Sequence, residues 1–327
     1  MTQACANAIS HASLEQAAQW YVQLNDLQVD EQQRRHWQAW LAQSGEHQAA
    51  WHYVERVGQR FAALQQEHPH AASHVLRNTE RTAISRRQAV KSLLVLVSGG
   101  LLGWSACKQS ALPLALARWT ADLATGTGET REARLSDGSR IWLNALSAVN
   151  VRFDASQRLL LLQAGEVLVD TAKDPDRPLR VQTAQGWMRA LGTRFSVRQD
   201  NLQTLLNVYE GAVEVRTREG QVRVVEAASQ LLFSDNHSPV PTTATATREA
   251  WRRGLLLADN MPLGQLIEEL SRYRPGHLGC DPAVASLPVM GSFPLRDTDQ
   301  ALRLLEAALP VRVIKTLDWW VSVGPKA

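Results

Sequence analysis

Few side chains in this 327-residue sequence combine a type and a spacing that could do covalent chemistry. The clearest is the pair Gly192-Thr193. A threonine hydroxyl can attack the carbonyl carbon of the residue before it, turning an amide into an ester that water cleaves, provided that a strained turn presents that carbonyl. The same dipeptide also suits a plain turn leading into a strand at Phe195, and the sequence alone favours the turn. Cys5, Cys107 and Cys280 lie far apart, with no C-x-x-C pair and no histidine at ligand spacing, so neither a disulfide framework nor a zinc site follows. His47, His52, His68, His70 and His74 are frequent enough to raise the question of a metal. Only His70 and His74 are four apart, and Pro69 interrupts any helix there, so solvated histidines are expected. Gly126-Thr127-Gly128 lacks the third glycine and the helix of a phosphate loop, and no G-x-S-x-G, H-E-x-x-H or paired-carboxylate pattern occurs. No cofactor, no metal and no reaction on an external substrate are expected, and self-cleavage at Gly192-Thr193 is the one candidate catalytic event.

The elements that position these residues fall into several blocks. The length suits two or three domains, and 45% hydrophobic with 20% charged residues is an ordinary globular balance. A net charge of +3 is too small to imply a polyanionic partner. Ser92 to Cys107 is a run of sixteen residues without a charge. It reaches the ~20 residues of a spanning helix if Val90 and the stems of Lys91 and Lys108 extend it at the ends. A buried core helix is the competing reading, and Gly99, Gly100 and Gly103 argue against it because they weaken a soluble helix but are tolerated in lipid. Gly99 and Gly103 also form a G-x-x-x-G pair that allows close approach of two membrane helices. Arg77, Arg81, Arg86, Arg87 and Lys91 precede the run and only Lys108 and Arg118 follow it closely, which places the N-terminus in the cytoplasm. Arg86 and Arg87 also fit a twin-arginine export signal, with Ala89 and Val90 where Phe-Leu is usual; a plain basic stop is the alternative. Cleavage after Ala115-Leu116-Ala117, or lipidation at Cys107 with Trp104 breaking the lipobox, are minority readings.

Before the run, three helices are predicted. Ser13 with Gln16 makes a capping box, and Leu14, Ala17, Ala18 and Tyr21 share one face of a helix reaching about Leu24. Asp30 with Gln33 starts a second helix carrying Trp37, Trp40 and Leu41, and Gly45 ends it. From about Glu46, Ala50, Val54, Val57, Phe61 and Leu64 describe a long amphipathic third helix. Residues 1–76 hold four basic side chains (Arg34, Arg35, Arg56, Arg60) against seven acidic ones, a balance of minus three. A face for duplex DNA needs the opposite sign, so a protein partner is expected and nucleic acid is not.

After Trp119 the period becomes two. Asp137-Gly138 centres a hairpin, Val149, Val151 and Phe153 alternate with polar residues, and short strands are predicted at 159–162, 167–169, 179–183, 195–198, 205–208, 212–215, 222–225 and 231–233. That is an all-β domain. Residues 241–247 read as a linker. Beyond it come a strand at 254–257, a helix capped by Asp259 or Asn260 with Pro262 in its first turn, a strand at 287–293, a helix capped by Asp297, and strands at 311–316 and 319–323.

Two stretches resemble a known family. Ala18-x-Trp20, Trp37-x-x-Trp40-Leu41 and Ser44-x-x-His47-x-x-Ala50-Trp51-x-x-Val54 look like the N-terminal domain of FecR/PupR-type regulators. Leu135-x-Asp137-Gly138-Ser139-x-x-Trp142-Leu143-Asn144, Gly165-Glu166, Ala190-Leu191-Gly192-Thr193-x-Phe195 and Glu210-Gly211-x-Val213 look like the FecR domain. The resemblance implies a multidomain chain: an all-α three-helix bundle (1–85), one transmembrane helix (88–110), an all-β FecR-like domain (118–235), a linker (236–250) and an α+β STN-like domain with repeated βαβ units (251–327). It implies a single-pass inner-membrane anti-sigma factor with its N-terminus cytoplasmic and its C-terminus periplasmic, each cysteine then lying in a different compartment. The implied partners are an extracytoplasmic-function sigma factor, the signalling domain of an outer-membrane TonB-dependent receptor, and envelope and intramembrane proteases, in a system whose commonest theme is iron-siderophore uptake. Trp20, Trp37, Trp40, Leu41, His47 and Trp51 match the sigma-binding motif, although tryptophans at such positions are more often core. Some members cut themselves at a Gly-Thr bond like Gly192-Thr193. The rival readings are a membrane-anchored envelope protein whose β domain binds a glycan or cell-wall ligand, and a DNA-binding membrane regulator.

Overall fold

The computed structural model describes residues 9–25, 31–67, 120–200, 202–237, 239–244 and 246–326. The apolar run at 92–107, Arg86, Arg87, Cys5, Cys107, Asp30, His68, His70 and His74 lie outside the described residues. Among the described residues no helix is long and apolar enough to cross a membrane.

Three helices form the N-terminal bundle: α1 (His11–Leu24), α2 (Glu31–Gln43) and α3 (Gly45–Glu67). The expected cap at Ser13 is one turn too late. Ser10 caps α1, its hydroxyl accepting from Ser13 N at 3.2 Å, and Ser13 sits inside the helix. The reason is a long-range partner: the Glu46 carboxylate accepts from Ser10 N at 2.9 Å and from Ser13 Oγ at 2.8 Å. These donors hold Glu46 down at about 2 and tie the start of α1 to the start of α3. Gly45 opens α3 rather than closing α2, and Ser44 Oγ accepts from His47 N at 3.0 Å as its cap.

The β domain is organised around one long strand. β1 (Leu123–Ala124), β2 (Arg131–Arg134), β3 (Arg140–Leu143) and β4 (Ala148–Phe153) precede β5 (Arg158–Asp170). After it come β6 (Leu179–Gln182), β7 (Gly186–Ala190), β8 (Arg194–Gln199), β9 (Thr204–Glu210), β10 (Ala212–Thr217), β11 (Val222–Glu226), β12 (Ser229–Phe233) and β13 (Thr242–Thr243). The first half of β5 pairs antiparallel with β4 and parallel with β6; its second half pairs antiparallel with β3 and β8. One row runs β1-β4-β5-β6-β7-β10-β11 and the other β2-β3-β5-β8-β9-β12-β13. β5 changes rows at Gly165, which has φ +82°, and a Cβ there would meet Ser147 Oγ at 2.4 Å. Only glycine allows both the conformation and the approach. The two rows enclose one core that includes Ile141, Leu160, Phe195, Val197, Leu206 and Phe233. Truncating a ring as fully enclosed as Phe195 typically costs about 3–5 kcal/mol.

The Asp137-Gly138 hairpin forms as expected, joining β2 to β3, and its side chains do more than turn the chain. Asp137 pairs at 2.7 Å with Arg158, which is almost wholly buried, and Arg158 Nη1 also donates to Ala172 O at 3.1 Å. Residues 159–162 and 167–169, expected as two strands, are halves of β5, and β7 has no counterpart among the expected strands. The expected linker is partly structured: Thr242–Thr243 adds to β12 and residues 246–253 form a 3-10 helix.

The C-terminal domain runs β14 (Leu255–Pro262), α4 (Leu263–Ser271), β15 (His277–Cys280), β16 (Pro288–Pro294), α5 (Thr298–Ala308), β17 (Val311–Leu317) and β18 (Trp320–Pro325). Asp297 caps α5 as expected, accepting from Gln300 N at 2.8 Å. Asp259 and Asn260 do not cap α4. β14 continues past them through an irregularity in which Asn260 takes φ +52°, and Pro262 stands at the N-cap. Strand-helix-strand does occur twice in sequence, but the pairing crosses between the units. β14 pairs antiparallel with β16, while β18 takes β15 in parallel and β17 antiparallel. The helices bury Leu263, Leu266, Ile267 and Leu270 of α4 and Ala301, Leu302 and Leu305 of α5 against these strands.

Candidate partner-binding surface

The aromatic residues of the bundle divide into two groups. Trp40 and Trp51 are core, 7% and 8% exposed. Trp40 Nε1 donates to Gln16 Oε1 at 2.9 Å, and His47 stacks on the Trp40 ring at 4.5 Å with its Nδ1 2.8 Å from Trp40 O. His47 is therefore packed rather than solvated. Trp20 is half-buried against the same cluster. Trp37 and Leu41, also half-buried, open with Trp51 onto a groove of about 450 Å³ between α2 and α3, flanked by Gln38, Ala42, Gln48 and His52. Trp37 meets Trp51 edge-on at 5.1 Å, and its Nε1 is buried with no hydrogen-bond partner among the described residues. Of the six residues singled out in sequence, Trp37, Leu41 and Trp51 share this groove, while Trp40 and His47 support it from behind.

The bundle's other face is covered. Trp319 of the turn between β17 and β18, with Trp320 that opens β18, faces α1 and α3. Tyr21 meets Trp319 edge-on at 5.4 Å, Tyr53 meets Trp320 at 6.0 Å, and Trp320 Nε1 donates to Glu15 Oε1 at 3.2 Å. His277 of β15 stacks on Trp320 at 3.9 Å, with its Nδ1 3.3 Å from the Tyr53 hydroxyl. Burial, with a smaller push from His11, lowers the His277 pKa to about 4. Sequence periodicity within α1 and α3 shows that this face is apolar, but not what covers it.

The motif residues of the β domain meet a different surface. Trp142 packs with Leu168 into the core of the C-terminal domain, and the Arg252 guanidinium lies 4.2 Å over its ring. Asn144 Nδ2 donates to Glu166 Oε2 at 2.8 Å, and its Oδ1 accepts from the Tyr273 hydroxyl of the C-terminal domain. Arg272 donates to Ala145 O at 2.7 Å, Arg194 pairs with Glu249 at 2.6 Å, and Arg198 pairs with Glu269. Burial raises the Glu166 carboxyl and the Tyr273 hydroxyl above their ordinary ranges. A cavity of about 180 Å³ lies within this junction, lined in part by Asn144, Glu166, Arg198, Glu269 and Tyr273. Asn144 and Glu166, both within the stretch that resembles the FecR domain, carry a domain junction that no local pattern announces.

Gly192 and Thr193 form the turn between β7 and β8. Gly192 has φ +82° with open space around it, so conformation rather than crowding calls for glycine. Thr193 N donates to Thr171 Oγ1 at 2.9 Å, and Thr193 O accepts from Thr171 Oγ1 at 3.0 Å. Thr193 Oγ1 is buried without a hydrogen-bond partner among the described residues. A Cβ on Gly211 would lie 2.6 Å from Gly192 O, so the Gly192-Thr193 and Glu210-Gly211 motifs are the two sides of one close approach. Cys280, half-buried in β15, has its thiol pushed up to about 11 by burial, which makes it a poor nucleophile.

Comparisons with known proteins match the same stretches of chain. The family model described as FecR protein matches residues 121–214, and one described as a domain of unknown function, DUF4880, matches residues 15–57. Residues 121–214 are thus similar to the FecR protein family. A crystal structure of a proposed anti-sigma factor from Parabacteroides distasonis ATCC 8503 at 1.65 Å resolution is 22% identical and superposes with a TM-score of 0.55, covering 63% of this chain and 99% of that one. A second structure of a proposed anti-sigma factor from the same organism, at 2.50 Å, gives a TM-score of 0.54 at 22% identity, covering 63% and 98%. At that identity the likeness is one of fold. No curated protein matches the chain.

Proposed function

We propose that the chain is an anti-sigma regulator whose helical bundle holds an extracytoplasmic-function sigma factor. The observation that carries this reading is the Trp37–Leu41–Trp51 groove, an open and largely apolar surface on a bundle of negative balance. The stretch that builds it is the one matched by DUF4880. The names of the two Parabacteroides structures support the same role. In this reading the basic-flanked run at 92–107 anchors the chain once in the inner membrane, with the bundle cytoplasmic and the β and STN-like domains periplasmic. A TonB-dependent transducer, as in iron-siderophore uptake, then signals to the exported domains, and envelope and intramembrane proteolysis frees the sigma factor. Co-purification of the full chain with co-expressed candidate sigma factors at physiological salt tests the central claim. Trp37→Ala should weaken the complex by about tenfold or more, as expected of an aromatic anchor in a desolvated pocket. Absence of a complex with every candidate sinks the reading.

Self-cleavage at Gly192-Thr193 belongs to the same proposal. The free Thr193 hydroxyl attacks the Gly192 carbonyl carbon, a C–O bond replaces the C–N bond, the hydroxyl proton ends on the released Thr193 amine, and water then hydrolyses the ester. Thr171 Oγ1 stands 2.9 Å from the leaving nitrogen. Two fragments should appear from the native chain and none from Thr193→Val; identical band patterns would dispose of the step.

A further inference from the structure

We infer that the Trp319–Trp320 corner of the C-terminal domain is an intrachain docking site for the helical bundle, occupied in the folded chain outside a membrane and vacated when membrane insertion separates the two ends. This rests on the single-pass reading above for its second half only. The first half stands on geometry.

Three observations make the corner a built contact. Trp320 is wholly buried and Trp319 is 7% exposed, with Tyr21, Tyr53 and Phe61 of the bundle around them. Two polar atoms are paired across it, Trp320 Nε1 with Glu15 and the Tyr53 hydroxyl with His277 Nδ1, while His277 Nε2 is buried without a partner among the described residues. The bundle is also shaped for its occupant. Gly58 stands in the middle of α3, where glycine is unfavourable, and a Cβ there would lie 3.1 Å from the Trp319 ring and 2.7 Å from the Tyr21 hydroxyl. A mid-helix glycine with a ring seated on it has a packing reason.

The chain between these faces contains the run of sixteen uncharged residues from Ser92 to Cys107. If that run spans a bilayer, its hydrocarbon core of ~30 Å lies between rings that are now 5.4–6.4 Å apart. Docking and insertion therefore exclude one another. The same step that anchors the protein uncovers an aromatic face on each side of the membrane, while the Trp37 groove is open in both states.

The test uses the full chain with the photo-cross-linker benzoylphenylalanine in place of Phe61, one aromatic side chain for another, and the same substitution at the exposed Gln38 as a control. One sample is translated in a membrane-free extract, the other inserted into inner-membrane vesicles, and cross-linked peptides are identified by mass spectrometry. The expected result is cross-linking from position 61 to the β17–β18 corner in the membrane-free chain, about tenfold less in vesicles, and none from position 38. Trp319→Ala should abolish the membrane-free product while a folded, protease-resistant C-terminal domain remains. No product in the membrane-free chain overturns the inference. An equal product in vesicles overturns the exclusion and the single-pass topology, and leaves the docking contact standing. Sigma-factor co-purification, measured on the same samples, reports separately on the anti-sigma reading.

Discussion

The C-terminal domain has two junctions that differ in chemistry. Toward the β domain it meets charge and hydrogen bonds beside an apolar patch: Arg198 with Glu269 and Tyr273 with Asn144, around the raised Glu166, next to Trp142 and Leu168. Toward the helical bundle it presents rings, with Trp319, Trp320 and His277 against Tyr21, Tyr53 and Phe61. The first junction shares the apolar cluster of Trp142 and Leu168 with the C-terminal core, and a shift in its register would leave one partner of an ion pair buried and unpaired, so it holds one register. Separating the second mainly exposes apolar area and breaks two hydrogen bonds that water can replace. The β and C-terminal domains are thus latched into one body, while the bundle rests on that body and can leave it.

The largest test of this contrast is Glu269→Ala, which leaves Arg198, 11% exposed, without its main partner. A loss of about 3 kcal/mol or more is expected in urea unfolding of the full chain. A change below about 1 kcal/mol would mean that the junction is no latch. Acid should act next, and on the aromatic side. The His277 pKa is about 4 when docked against an ordinary 6.5, so the docked state resists a proton that the undocked state binds. Docking is therefore strongest above about pH 6.5 and weakens as the pH falls toward about 4, because a proton on His277 opposes the docked state. The groups facing His277 are His11 of α1 and Tyr53 of α3, with Glu15 of α1 on the adjoining Trp320. Loss of the position-61 cross-link on acidification, retained in His277→Gln, checks this.

Tyr53→Ala comes third. Removing its ring contacts with Trp320 and His277 should weaken docking by about 1–2 kcal/mol and leave the unfolding midpoint of the C-terminal domain unmoved. A shift in that midpoint would mean that the bundle is part of the latched body after all. Gly58→Ala should have the smallest effect and a divided sign. The bundle gains helix propensity of up to about 1 kcal/mol, while docking weakens because Trp319 and Tyr21 must give way. Helix melting together with the cross-link yield separates the two.

Much of the fold was legible locally. Residues spaced four and three apart announced α3, Asp137-Gly138 announced the β2–β3 turn, and Asp297 announced the start of α5, because each depends on neighbours within a turn of chain. Where a distant partner intervenes, local reading slips. Ser10 rather than Ser13 caps α1 because Glu46 arrives from α3, and Asn260 lies in a strand irregularity because β16 pairs alongside it. β15 is only four residues long and has no alternation of its own; it exists because β18 offers it a parallel partner.

The candidate surface shows the same division. Composition and spacing alone determined that Trp20, Trp37, Trp40, Leu41 and Trp51 lie on amphipathic helices, since helical period is a property of consecutive residues. Which of them are core, which line a groove and which face is covered was decided by packing between α2 and α3 and by a tryptophan pair some 260 residues further along the chain. A pairing at that separation leaves no periodic trace, because it is set by the shapes of two finished surfaces rather than by the order of residues within either one.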